Sequence, residues 1–289
     1  PGVNATCDNI NPNSEIHIRS DADVALVRNA AIADIWSGAG FPTEQPDSVT
    51  PNIGSTQYLD TSNMPNLSRI DQLNISLDNG FAAKIYHLIP TNGNNRLGIF
   101  YQGHDNLGLN RFGGKETIEF FIANGFSVLA VMMPMTGPNT GPVGGTETTA
   151  HNNLLGQESS TFNPLEIFME PLAIALNYTD AQYDYIDASM TGISGGGWAS
   201  SLYPAIDTRI KNSFPAAGSM PLYLRETPCA FNPNDNGDYE QGTIGMPLNF
   251  YTNVASYLDL YLLGSAGVGR QQVQMLAQHD PCCFAGVVA

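Results

Sequence analysis

The run at residues 126–133, F-S-V-L-A-V-M-M, constrains the fold more than any other stretch of this chain. It has the length of a strand and is apolar almost throughout. Strict alternation would mark a strand with one wet face; continuous apolarity marks one covered on both. Such a strand belongs inside a largely parallel sheet with helices packed on each side. The chain can supply those layers, since 42% of its 289 residues are hydrophobic and only 13% are charged. That balance also argues against disorder.

The pattern around this run agrees. Ser20 is placed to cap a helix over 21–36, with Val24, Val27, Ile32 and Ile35 near helical spacing and Gly38 as a stop. Residues 37–66 read as a surface loop. Residues 68–77 and 82–89 read as strands joined through Asp78-Asn79-Gly80, a turn signal. Further strands are predicted at 97–102, 188–193, 211–217, 257–263 and 283–289. Helices are predicted at 115–123, 164–177, 196–206 and 270–278. This alternation predicts an α/β fold: a mostly parallel twisted sheet with helices on both faces and antiparallel first strands. Residues 1–66 form an N-terminal extension with one helix on the core. Residues 67–289 form the main domain, with a candidate cap at 219–250.

The formal net charge is −16, from 27 acidic and 11 basic residues, and no basic cluster occurs. Nucleic acid and anionic membranes are therefore disfavoured partners. No apolar run approaches the roughly 20 residues of a membrane helix. Four cysteines (Cys7, Cys229, Cys282, Cys283) and four N-x-[ST] sequons, at Asn4, Asn66, Asn74 and Asn177, suit a secreted, disulfide-bonded glycoprotein. A bond between adjacent Cys282 and Cys283 is strained, so Cys7 and Cys229 are each expected to take one of them. Buried free thiols are the alternative.

Within 191–200, T-G-I-S-G-G-G-W-A-S, the segment Gly192-Ile193-Ser194-Gly195-Gly196 satisfies G-x-S-x-G. In a glycine-rich chain that match alone is weak. Its context sharpens it: a predicted strand ends at the serine and a predicted helix begins just after. Glycines clear space where strand and helix nearly touch, and the serine sits on a strained turn with its hydroxyl exposed. The bland alternative is a glycine-rich connection with a solvated serine.

On this motif and this order of elements, residues 68–289 resemble the α/β-hydrolase fold family. The resemblance implies a serine hydrolase that cleaves a carboxylic ester through an acyl-enzyme on Ser194; its secretion is expected from the cysteines and sequons alone. It implies an oxyanion hole from the backbone N–H of Gly195 and a second donor on the loop after the third strand, here His104 or Gly103. It implies the chain order serine, acid, histidine. His279 alone follows Ser194, yet it precedes the last predicted strand, at the end of the sheet opposite the nucleophile. Three readings stay open. The histidine lies beyond Ala289; the strand register differs and His279 is the base; or the base is His104 or His151, or the protein is no enzyme. For the acid, Asp238 is the first candidate and Glu240 the second; Asp259 falls at the wrong end of a predicted strand.

No cofactor or metal is expected. Asn232, Asn234 and Asn236 space like the start of a Ca²⁺ loop, but the first position is not Asp and no glutamate closes the loop. The expected partner is a small-molecule or polymer ester, with self-association left open. Tyr223, Phe231, Tyr239 and Phe250 would line a pocket under the cap, and Arg225 is the nearest clamp for an anion. The rival functions are a serine peptidase and a non-catalytic binding or assembly protein of the same fold.

Overall fold

The computed structural model of the protein describes residues 11–105, 107–144, 151, 153–225, 237–242, 249–277 and 280. Eight strands form one sheet: β1 (Ser48–Thr50), β2 (Leu67–Ser76), β3 (Ala82–Pro90), β4 (Arg96–Tyr101), β5 (Ser127–Val131), β6 (Asp187–Ile193), β7 (Ile210–Ala216) and β8 (Gln271–Gln272). Their order is β1-β2-β3-β5-β4-β6-β7-β8. The β1–β2, β2–β3 and β3–β5 pairs are antiparallel, and every pair from β5 onward is parallel. All five residues of β5 are buried, as its continuous apolarity requires.

Helices cover both faces. On one side lie α1 (Asp21–Ile35), α3 (Glu166–Gln182), α4 (Gly195–Ile206) and α6 (Tyr257–Ser265), joined in one core with Ile99, Leu129, Val131 and Met190. On the other side α2 (Gly114–Ala123) buries Ile118, Phe121 and Ile122 against Phe100, Val128 and Ala130. The short α5 (Leu222–Arg225) lies outside these layers. The helix α1 starts at Ser20 as predicted, and its Ala31, Ile35 and the following Trp36 enter the larger core. Among the described residues, no helix is long and apolar enough to cross a membrane.

Three assignments differ from the sequence reading. Residues 257–263 form a helix, not a strand. Ser256 and Asp259 close a reciprocal capping box at its start, and Tyr257, Leu260, Leu263 and Gly264 are buried at spacings of three and four. The alternating look of Y-L-D-L-Y-L-L hides that helical period. Of the predicted helix at 270–278, the described residues 270–277 are extended, not helical. The Val273 and Met275 N–H groups donate to the carbonyls of Ser213 and Pro215, so the free edge of β7 overrides the helical preference of a glutamine-rich run. Residues 48–50, read as loop, pair with β2 as the edge strand β1. The predicted strand at 283–289 and all four cysteines lie outside the described residues. Of the sequon asparagines, Asn66 and Asn177 donate their side-chain amides to backbone carbonyls and Asn74 to Ser48.

The second of these corrections matters for function. Because β8 runs parallel to β7, the residues after Met275 leave the sheet at the edge where β6 ends, not at the opposite one.

Buried in β3, His87 gives the fold a pH signature. It is 0% exposed, its Nε2 lies 3.0 Å from the Tyr185 hydroxyl, and among the described residues its Nδ1 has no partner. Burial pushes the imidazole down to about 4. Unfolded, it protonates near 6.5, so stability is complete above that pH and falls as pH drops toward 4. The loss is about 3 kcal/mol over that window. Urea unfolding of His87→Phe at pH 7 and pH 4 is expected to show a pH dependence smaller by that amount.

Candidate active site

The sheet order reverses at β4, which is flanked by β5 on one side and β6 on the other. In open α/β sheets ligands bind outside the carboxyl ends of the strands at such a switch point. Gly103 and His104 follow β4 there, and Ser194 follows β6.

Ser194 has φ 55° and ψ −123°, a conformation costing a non-glycine residue roughly 1–3 kcal/mol. Its N–H donates to the Ala216 carbonyl at 3.0 Å, and its own carbonyl accepts from Trp198 N–H at 2.9 Å. Backbone crowding maintains the turn. A Cβ at Gly196 would lie 1.9 Å from the Tyr101 carbonyl oxygen, and one at Gly192 would lie 2.3 Å from the Gly196 oxygen. The half-buried Ser194 hydroxyl makes no side-chain hydrogen bond among the described residues. Gly195 begins α4, so its amide stands at the positive end of the helix dipole.

The loop after β4 packs directly on this turn. A Cβ at Gly103 would meet the Ile193 oxygen at 2.6 Å and the Ser194 Cβ at 3.0 Å. Gly103 N–H donates to Oε1 of buried Gln102 at 3.0 Å, and Gln102 in turn donates to the Gly108 carbonyl. The His104 ring lies against Gly195, where an added Cβ would come within 2.6 Å of its Cε1. The sequence reading considered mainly the His104 backbone; its side chain is just as close to the turn.

That side chain opens a buried cluster. His104 Nδ1 lies 3.3 Å from Asp238 Oδ2, and His104 Nε2 lies 2.9 Å from Glu240 Oε1 and 3.0 Å from His151 Nδ1. His151 Nδ1 is 3.6 Å from Glu240 Oε2, while its Nε2 donates to the Pro134 carbonyl at 2.9 Å. Glu240 is 0% exposed and His151 1%. Burial alone would raise the Glu240 carboxyl, but His104 and His151 outweigh it and hold the group well below the usual carboxylate range. The segment carrying Glu240 is pinned locally. Asp238 and Gln241 form a reciprocal cap on the turn Tyr239–Gln241, and buried Arg225 donates to the carbonyls of Met220, Gln241 and Gly242.

The sequence candidates are thus dispersed. Asp238 and Glu240 meet His104, not a histidine after Ser194. Arg225 serves backbone carbonyls and lies under the Tyr257 ring, so it is no exposed anion clamp. Tyr239 and Phe250 belong to the main core, and Tyr223 packs against Met220 and Leu224. Asp259, 0% exposed, caps α6 and accepts from the His17 and Ile18 amides and the His17 ring. His279, Phe231 and the Asn232–Asn236 loop lie outside the described residues. Asp280 is described, at the end of the segment that follows β8. The role of His151 within this cluster had no signal in the sequence, because no motif or spacing links it to His104 or Glu240.

No protein-family model matches the chain, and no curated protein is similar to it in sequence. Solved structures are similar in fold. Acetyl xylan esterase 1 from a Thermoanaerobacterium species superposes with a TM-score of 0.52 at 14% identity, over 90% of this chain and 89% of that one. An acetyl xylan esterase from Paenibacillus sp. R4 gives 0.53 at 13% identity, over 90% and 80%. A methylesterase gives 0.58 at 14% identity, covering 91% of this chain and 52% of its own length.

Proposed function

We propose that this chain, which has the α/β-hydrolase fold, is a serine hydrolase that cleaves carboxylic esters through an acyl-enzyme on Ser194. The observation that carries the reading is the Ser194 backbone: positive φ at a strand-to-helix turn, enforced by contacts no larger residue at 192 or 196 would permit. Such strain clusters at functional sites. The esterase names of the similar folds support an ester as substrate, and among them acetyl and methyl esters are the first to test.

In this reading Ser194 Oγ attacks the ester carbonyl and a histidine takes its proton. The Gly195 N–H donates to the developing oxyanion. The proton passes to the departing alkoxide, and water then releases the acid by the reverse route. Of the five histidines, His17 is engaged by Asp259, His87 is buried in the sheet, and His104 and His151 turn both ring nitrogens to other groups. Within this sequence His279 is therefore the base to test first, and a histidine following Ala289 is the alternative. Asp238 is turned to His104, so the acid's position passes to Asp280, beyond the strand that neighbours β7, which departs from the order serine, acid, histidine because Asp280 follows His279. The second oxyanion donor is the His104 amide, since Gly103 N–H is spent on Gln102.

A fluorophosphonate probe, followed by peptide mass analysis, is expected to label Ser194, and the protein to turn over p-nitrophenyl acetate. A folded full-length sample that takes no label would leave the binding-protein reading instead, and label with turnover of amides but not esters would favour the peptidase. Loss of turnover in Asp280→Asn but not in His279→Asn would keep Asp280 and move the base to another histidine. The reading extends to secretion, supported by the four cysteines and the sequons. Thiol titration of denatured, unreduced protein is expected to find no free thiol, and four would refute the disulfides.

A further inference from the structure

We propose that His104, His151 and Glu240 bind one zinc-class divalent cation beside the Ser194 turn. The tautomers make the case. Asp238 at His104 Nδ1 places the proton on that nitrogen, and the Pro134 carbonyl at His151 Nε2 places the proton there. The remaining nitrogens, His104 Nε2 and His151 Nδ1, then present lone pairs 3.0 Å apart. The Glu240 carboxylate completes the triangle at 2.9 and 3.6 Å. Three acceptors thus converge with no proton assigned among them. Four-coordinate zinc with bonds of about 2.0–2.1 Å holds its ligands about 3.3 Å apart, within the 2.9–3.6 Å span of these separations.

Glu240 supplies the second, independent observation. It is 0% exposed, yet among the described residues neither of its oxygens accepts a well-aligned hydrogen bond. With the proton on Nδ1, the 2.9 Å approach of His104 Nε2 to Oε1 brings a lone pair, not a donor, to the carboxylate. A buried carboxylate left so costs several kcal/mol unless a cation pairs with it. Both imidazoles already have the outer partners that orient metal-binding histidines, a carboxylate for one and a backbone carbonyl for the other. The donor set, two imidazoles and one carboxylate with a fourth position open, selects zinc over calcium or magnesium. Asp238 (35% side-chain exposure) and His104 (14%) mark the route from solvent. The ion would tie the loop after β4, residue 151 and the turn Tyr239–Gln241 into one wall of the site.

The test uses full-length protein stripped by chelator and titrated with zinc chloride. One zinc per chain is expected to remain after desalting, by elemental analysis. Calorimetry is expected to show affinity reduced at least about 100-fold in Glu240→Gln and His151→Gln. Asp238→Asn, altered outside the donor triangle at a half-exposed position, is expected to fold and to lose about 10–100-fold. Cobalt in place of zinc is expected to give d–d bands without thiolate charge transfer, which separates this site from the cysteines. Substoichiometric zinc, a thiolate band, or affinity that survives both Glu240→Gln and Asp238→Asn would overturn the site. Ser194→Ala is expected to bind zinc unchanged, so the proposal stands or falls apart from the esterase reading.

Discussion

Ser194→Ala is expected to lower kcat for p-nitrophenyl acetate by roughly 10⁵–10⁶-fold, the scale seen when a serine nucleophile is removed. The fold should persist. The Ser194 hydroxyl holds no hydrogen bond among the described residues, and alanine meets the same backbone penalty as serine at φ 55°. Ser194→Gly separates the two properties. It loses activity equally, but glycine occupies positive φ without strain. Relief of roughly 1–3 kcal/mol less about 0.5–1 kcal/mol of added chain entropy leaves a gain of about 1 kcal/mol. Urea unfolding of the two variants should therefore diverge while their residual turnover coincides. Equal stability would mean that the turn is not strained, and the argument from backbone to nucleophile would lose its footing.

Gly196→Ala should give the largest stability loss of any single methyl group added at this turn. The new Cβ would sit 1.9 Å from the Tyr101 carbonyl oxygen and 2.6 Å from its carbon. Those atoms belong to the end of a central strand and cannot rotate away. Relief requires α4 to lift from β4 and β6, opening the core beneath it, where Trp198, Ala199 and Leu202 are buried. A loss above about 4 kcal/mol, or insoluble expression, is expected. Gly144→Ala is the matched control. Among the described residues nothing lies within 4 Å of its added Cβ, and its effect should stay within about 0.5 kcal/mol.

The same crowding explains what was legible in the sequence. Strands β2 to β7 and helices α1 to α4 were readable because burial on one or both faces imposes a period on the residues that fill them. The turn at Ser194 was readable because only glycine fits at 192 and 196. Where the reading failed, a local pattern yielded to a distant partner. Residues 257–263 alternate like a strand, but the Ser256–Asp259 cap and the buried stripe of Tyr257, Leu260 and Leu263 make them helical. Residues 270–278 look helical, but the edge of β7 draws them out. That exchange relocates the candidate site, since Asp280 now follows a strand ending at the same edge as Ser194. The cluster of His104, His151 and Glu240 was beyond sequence reasoning altogether. Its members are separated by 47 and 89 positions in the numbering, within segments that carry no periodic signal.

Asp259, whose carboxylate caps α6 and also receives two amides and a ring nitrogen from residues 17 and 18, has a consequence for how the chain assembles. The partners are 242 residues apart. Bringing them together closes a loop of 242 residues, so the contact cannot form until Asp259 has been synthesised. Residues 17 and 18 must wait, and until they dock the carboxylate lacks three of its five donors. Removing residues 11–18 would leave Asp259 with the Ser256 cap alone.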